Sequence, residues 1–274
     1  VEIIVHYPWK TSPELESHLI ARFGLFQARV LCSSERPYGE IVRGLGVLAA
    51  RYIESILDKV SLLGISWGAA VHNTVQALRP ARRLPVTVVQ MVGALGEGDP
   101  LIDGPELARL LASVSGGEFR YLHAPLLVED AQARDILLQE PTIRETLALA
   151  RRAEVALVGI GTPLPEHSSL LRAGYLDTPA LVQLESQGVV GDICGRHYDA
   201  QGREVDIELN RRIVGIRLEA LREIDRVIGV SGGKDKAEAI LGALRGGYVD
   251  VLVTDDVTAK RLLALSQSVA NALA

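Results

Sequence analysis

Leu62-Leu63-Gly64-Ile65-Ser66-Trp67-Gly68-Ala69-Ala70-Val71-His72-Asn73-Thr74-Val75 decides the fold. A short apolar run ends in Gly64-Ile65-Ser66-Trp67-Gly68 and passes into a helical pattern with apolar Val71, Val75 and Leu78. That is a strand, a glycine-bearing turn and a helix N-terminus. Free N–H groups and the positive end of the helix dipole favour an anion there. Gly68 lets the backbone approach a ligand where a Cβ would obstruct it. Many α/β loops use two glycines only to turn the chain. A second strand–glycine–helix junction, at Val227–Ile240, favours the ligand reading.

The second junction carries Ser231-Gly232-Gly233-Lys234-Asp235-Lys236. Serine and glycine N–H groups followed by lysine in a first helical turn make a compact phosphate site. For Lys234, the competing reading is a surface lysine on a capped helix. Outward from these junctions, strands and helices alternate. Strand candidates are Glu2–Val5, Ala28–Cys32, Val86–Val92, Phe119–His123, Ala153–Gly161, Val189–Cys194, Asp225–Val230 and Val249–Val253. Pro13–Phe23 reads as a helix stopped by Gly24. Tyr38–Leu57 reads as an amphipathic helix in which Gly44 and Gly46 permit close packing. Helices follow at Gly104-Pro105, Ala131–Gln139, His167–Ala173, Lys234–Leu244 and Asp255–Leu265. Thr142-Ile143-Arg144-Glu145 reads as a capping box, and Thr178-Pro179 as N-cap and N1 of a helix ended by Gly188. Asp199-Ala200-Gln201-Gly202 reads as a hairpin turn.

The inner strands are continuous apolar runs, which means burial on both faces and a mainly parallel sheet. The expected class is therefore α/β with a mainly parallel sheet. Ligands of such sheets bind outside the carboxyl ends of the strands. The loops there add Gln90, Gly93, Gly161 and Thr162 to Ser66, Trp67, Gly68, Ala69, Ala70, Gly232 and Gly233 as candidate ligand-binding residues. Trp67 could stack on a sugar face or simply pack; Trp9 poses the same choice. Asp192, inside the glycine-bounded strand Val190–Gly195, suits sugar hydroxyls as an acceptor, or serves an internal ion pair or turn. Thr254-Asp255-Asp256 is accounted for as an N-cap followed by first-turn acids.

Composition narrows the function classes. The chain of 274 residues carries a formal net charge of −5, and only 4% of it is aromatic. Its basic residues come as pairs (Arg82-Arg83, Arg151-Arg152, Arg211-Arg212) and not as a stripe interleaved with aromatics, which disfavours direct nucleic-acid contact. Cys32 and Cys194 make no disulfide framework and have no metal-type spacing, pointing to a reduced, cytoplasmic setting. Scattered histidines form no metal motif. No membrane-spanning run or signal peptide is read. The start at Val1 suggests a piece of a longer protein. No metal or cofactor is expected.

Taken together and in order, GISWGAAV, VVQMVGALG, ELARLL, PTIRETLALARRAEVALVGIGT, GVVGDICGRHYDAQG, VIGVSGGKDKAEAI and VLVTDDVTA resemble the C-terminal sugar-binding domain of SorC-type bacterial transcriptional regulators. The resemblance runs from the opening VEIIVHYP and LIARFGL to the end of the chain. It implies a three-layer Rossmann-like sandwich related to sugar-phosphate isomerases and CoA transferases, and a phosphorylated-sugar effector bound by residues 1–274. It also implies homodimers or homotetramers, and DNA contact only through an N-terminal helix-turn-helix domain that this chain lacks. Ser66, Gly68, Ala69 and Ala70 match the family's phosphate-side loop, Asp192 its sugar-contacting acid, and Lys236 the lysine of its GGxxKxxAI pattern. Ala69 and Ala70 stand where the family commonly has threonines. Met91 and Val92 stand where it often has a basic residue, which favours a singly phosphorylated or smaller ligand. The rival class is a sugar-phosphate isomerase or amino-sugar-phosphate deaminase, which needs a placed base. A CoA-transferase relative would need a nucleophilic glutamate, for which Glu97 is the look-alike.

Overall fold

The apolar runs assemble into a seven-stranded sheet in which every pairing is parallel. The computed structural model describes residues 9–33, 36–96 and 100–272, so the expected strand at 2–5 and Glu97 lie outside the described residues. The strands are β1 (Gln27–Leu31), β2 (Leu62–Ile65), β3 (Thr87–Gln90), β4 (Glu118–Arg120), β5 (Val155–Gly159), β6 (Val189–Ile193), β7 (Arg196–Asp199), β8 (Arg226–Val230) and β9 (Val251–Asp255). Their order across the sheet is β1-β9-β8-β5-β2-β3-β4, with β6 and β7 as a separate antiparallel hairpin. Every residue of β9 is buried, as a strand covered on both faces requires.

The two faces hold two apolar clusters. One packs under the helices Tyr38–Ile56, Ala69–Ala77 and Gly104–Ser115 through Leu45, Val71, Val75, Leu107 and Leu111. The other packs under Pro13–Phe23, Pro141–Ala150, Thr178–Ser186, Ala237–Arg245 and Asp256–Ala272 through Leu19, Ile143, Leu147, Leu184, Ile240 and Leu262. The result is a three-layer α/β sandwich around the parallel sheet that the apolar runs called for.

Gly46 shows why a helix breaker sits mid-helix. A Cβ there would lie 2.6 Å from the backbone carbon of Asn73 on the neighbouring helix, so the glycine sets how closely the two helices approach. Gly46→Ala is expected to cost about 1–3 kcal/mol of unfolding free energy in denaturant titration, because backbone and not a flexible side chain must move.

The local signals differ from the sequence reading where a neighbour takes the cap. Gly24 does end the first helix, with φ 67° and its N–H on Ile20 O. Asp177, not Thr178, caps Thr178–Ser186, accepting from Ala180 N at 2.9 Å. Pro141 starts its helix one residue before Thr142, so no capping box forms at Glu140. Asp199–Gly202 is a tight turn, with Gly202 N on Asp199 O at 2.8 Å. The hairpin turn proper is Cys194-Gly195, with φ of 53° and 75°. Positive φ at a cysteine has no composition signal, so the sequence reading ends the strand at Cys194 without seeing a turn there or β7 beyond it.

Candidate effector-binding site

The strand order reverses between β2 and β5. From β2 the chain builds outward through β3 to β4, then returns to lay β5 on the other side of β2 and continues through β8 to β9. Connections after β2 and β5 therefore diverge, opening a crevice at the carboxyl edge. That crevice contains about 660 Å³ of empty space, its open mouth included.

Its inner walls come from four places. The loop after β2 gives Ser66, Trp67, Gly68, Ala69 and Ala70; the loop after β5 gives Ile160 and Gly161; the loop after β8 gives Ser231, Gly232 and Lys236; the β6–β7 hairpin gives Asp192 and Cys194. Gly68 has φ 115° and caps the helix Ala69–Ala77 with no side chain, leaving its first-turn N–H groups facing the crevice. Its own N–H is bound to Ile102 O at 3.0 Å. Ser66 is buried, and its hydroxyl accepts from Gly159 N at 3.3 Å, tying β2 to β5 at the switch point. Trp67 is 7% exposed and belongs to the core while lining the crevice, so it packs first.

Asp192 reaches the crevice through an antiparallel bridge with Gly161, whose N–H donates to Asp192 O at 2.8 Å. The carboxylate lies over Gly161: a Cβ on that glycine would be 1.8 Å from Asp192 Oδ1. The hairpin that carries Asp192 is held from behind. Arg196, 2% exposed, donates to the carbonyls of Asn210, Ile213 and Ile216 at 2.6, 3.2 and 3.2 Å. Asn210 accepts from His197 N at 2.8 Å and donates to His197 O and Val205 O. Burial lowers the His197 pKa, which keeps the ring neutral in this network. Tyr198 Oη donates to Ala239 O at 2.9 Å, fixing the hairpin to the helix that follows Lys236.

Lys236 is 6% exposed and donates from Nζ to Ile160 O at 3.3 Å. Burial lowers its pKa to about 8; the Asp192 charge opposes this and Arg172 adds to it. Cys194 also lines the crevice, and burial pushes its thiol up to about 12. It stays protonated and acts as apolar lining.

The structure brings Ser66, Trp67, Gly68, Ala69, Ala70, Gly161, Asp192, Gly232 and Lys236 around one crevice. Gly233 lines the adjoining pocket with Tyr38 and His167. Three candidates sit elsewhere, each for a physical reason. Gln90 is fully buried, donating to Val92 O at 2.7 Å and accepting from Leu122 N at 3.0 Å, so its amide is consumed within the sheet edge. Gly93 is glycine because a Cβ would be 2.1 Å from Pro125 O. Thr162 points its hydroxyl at Leu164 N, 3.5 Å away. Lys234 lines the adjoining pocket and not the crevice.

The sequence reading missed Tyr38, His167, Ser169 and Arg172, which form the outer wall. Tyr38 and His167 stack with ring centroids 4.8 Å apart, and His167 Nε2 lies 3.4 Å from Asp235 Oδ2. Arg172 Nη2 donates to Ser169 Oγ at 3.0 Å. Nothing local marks them, since Tyr38 opens one helix, His167 lies in a loop, and Ser169 and Arg172 begin and end a short helix far along the chain. The Ser231–Gly233 loop is less free than its glycines suggest. Ser231 Oγ donates to Ile160 O at 3.2 Å, and Gly233 N donates to Asp255 Oδ2 at 2.6 Å. Asp255 is fully buried and also accepts from Thr258 N and Oγ1 at 3.0 and 2.7 Å, so Asp255, and not Thr254 as the sequence suggests, takes the N-cap role for the helix that follows.

A crevice with uncapped helix N–H groups, a buried lysine and a carboxylate defines a small-molecule-binding α/β domain. Residues 7–264 match the family described as "Putative sugar-binding domain". The chain belongs to that family, the sugar-binding domain of SorC-type transcriptional regulators. It is similar to the deoxyribonucleoside regulator of Bacillus subtilis, 31% identical over 96% of this chain and 83% of that protein. It is also similar to the transcriptional regulator LsrR of Klebsiella pneumoniae, 34% identical over 92% of this chain and 76% of that one. The full-length sorbitol operon regulator SorC of Klebsiella pneumoniae superposes with a TM-score of 0.85 at 30% identity, covering 96% of this chain and 84% of that one. These relatives are named as regulators of transcription, and among the described residues no helix is long and apolar enough to cross a membrane.

Proposed function

We propose that this domain senses a phosphorylated sugar and does not turn it over. The observation that carries the reading is the convergence of the Gly68 helix N-terminus, Lys236 and Asp192 on one crevice. The phosphate sits at the Gly68–Ala70 end, where first-turn N–H groups lack a side-chain cap. The Ser231–Gly233 loop is the poorer anion site, because the Asp255 carboxylate is already bound behind it and repels a second negative charge. Lys236 and Arg172 supply the cationic side. Asp192, held over Gly161, accepts from sugar hydroxyls.

The domain acts in the cytoplasm as part of a longer regulator whose separate N-terminal helix-turn-helix domain contacts DNA. It self-associates, as a sensor on a palindromic operator requires. The effector must bind one state of that assembly better than the other, or operator affinity does not change.

A thermal-shift series tests the ligand class. Phosphorylated pentoses and hexoses should raise the melting temperature more than the corresponding free sugars. Mass action gives about 2.7 kcal/mol at a hundred times the dissociation constant. Equal shifts from a sugar and its phosphate would remove the phosphate from the proposal.

A further inference from the structure

The outer edge of β4 is the one strand edge of the sheet with which no backbone group pairs among the described residues. The opposite edge strand, β1, is covered: Ser12 N donates to Val30 O at 2.9 Å, Cys32 N to Lys10 O at 2.9 Å, and Glu16 Oε1 accepts from Val30 N at 3.0 Å. In β4, Glu118 N donates inward to Val86 O at 3.2 Å. Backbone groups alternate along a strand, so the N–H and C=O of Phe119 face away from β3. The Phe119 carbonyl is met by Arg120 Nη1 of its own strand at 3.2 Å.

We propose that β4 pairs with β4 of a second copy across a two-fold axis at Phe119, joining the two sheets into one. An antiparallel pair centred on Phe119 makes it a hydrogen-bonded pair, each Phe119 N–H donating to the other copy's Phe119 carbonyl. The same register sets Glu118 opposite Arg120 of the second copy at both ends of the pair. These are directly opposed cross-strand neighbours, where opposite charges attract and like charges repel. Glu118 and Arg120 are exposed and pair with each other within the strand at 3.1 Å, a pairing that the second copy exchanges for two across the interface. A short charged edge strand is a common protection against pairing. Protection works by presenting like charges, however, whereas Glu-Phe-Arg is self-complementary under two-fold symmetry. Phe119, Tyr121 and His123 add an aromatic row along the edge, with centroids 4.6 and 5.9 Å apart, for the second copy to cover.

Sedimentation velocity over a micromolar concentration series tests this. The chain should form a dimer. Arg120→Glu, which opposes carboxylates at both ends, should weaken the dimer at least tenfold. The double swap Glu118→Arg/Arg120→Glu should restore it to within about threefold. Phe119→Pro, which removes the outward N–H at a position where an edge strand tolerates proline, should also dissociate it. Circular dichroism confirms that each variant is folded. A monomeric parent chain, a dimer indifferent to Arg120→Glu and Phe119→Pro, or a double swap that stays dissociated would each overturn the pairing.

Discussion

Replacing Lys236 by methionine is expected to raise the melting temperature of the ligand-free domain and, in the same protein, to remove its response to a phosphorylated sugar. Lys236 is 6% exposed, and its pKa falls from 10.5 to about 8 through burial. That fall corresponds to roughly 3 kcal/mol of penalty on the charged form at neutral pH. Methionine keeps the length and fills the same space without the charge. The penalty also has a pH signature. Unfolded, the lysine holds its proton up to about 10.5; folded, only to about 8. Between those values the unfolded chain binds more protons, so stability rises with pH, and below about 8 this group contributes no slope. The rise should vanish in Lys236→Met. Affinity for a phosphorylated ligand runs the other way, falling above about pH 8 as the ammonium is lost before the ligand arrives. Melting curves at pH 7 and 9.5, with and without ligand, read both effects. A destabilised variant that still responds to the phosphate would make Lys236 a packing residue.

The fold was legible because its signals are local. Leu63–Ile65, Val155–Val158 and Val227–Val230 are apolar runs that only a doubly covered parallel strand explains, and Gly24 and Gly188 end helices with the positive φ that their residue type permits. Half of the crevice was legible for the same reason, since Gly68 and Lys236 sit at strand–helix junctions. Gln90 and Gly93 were misplaced because a strand end looks alike whether it faces a ligand or another segment. Here the segment 122–125 and Val214 occupy that space. Arg172 and His167 went unseen because the wall they form depends on how two loops and a short helix come together. Arg196 and Asn210 illustrate the same limit: their role is to hold a hairpin by its carbonyls, and no spacing announces that.

Asp192→Asn is expected to weaken the sugar phosphate by roughly ten- to hundredfold, the loss of a charge-assisted hydrogen bond worth about 1.5–3 kcal/mol. Gly161→Ala should do the same without touching the carboxylate's chemistry. Its new Cβ would lie 1.8 Å from Asp192 Oδ1 and 2.7 Å from Asp192 Cγ, so the acid must leave its position. Agreement between the two variants in isothermal titration would mean that affinity depends on where the acid sits as well as on its charge. The same pair separates a sensor from an enzyme. A lysine whose pKa is about 8 beside a carboxylate is also a pair from which an isomerase could be assembled. What distinguishes them is whether the binding energy is realised in the ground state or only in the transition state. In this crevice Ala69 and Ala70 present methyl groups, and Cys194 stays protonated with its pKa near 12. In the proposed function the groups that remain hold a phosphate and a hydroxyl in place, an arrangement that gives affinity without turnover. Pentose, hexose and amino-sugar phosphates incubated with the protein should therefore be recovered unchanged, while at least one binds saturably. Isomerisation or ammonia release that disappears in Asp192→Asn would make this chain an enzyme.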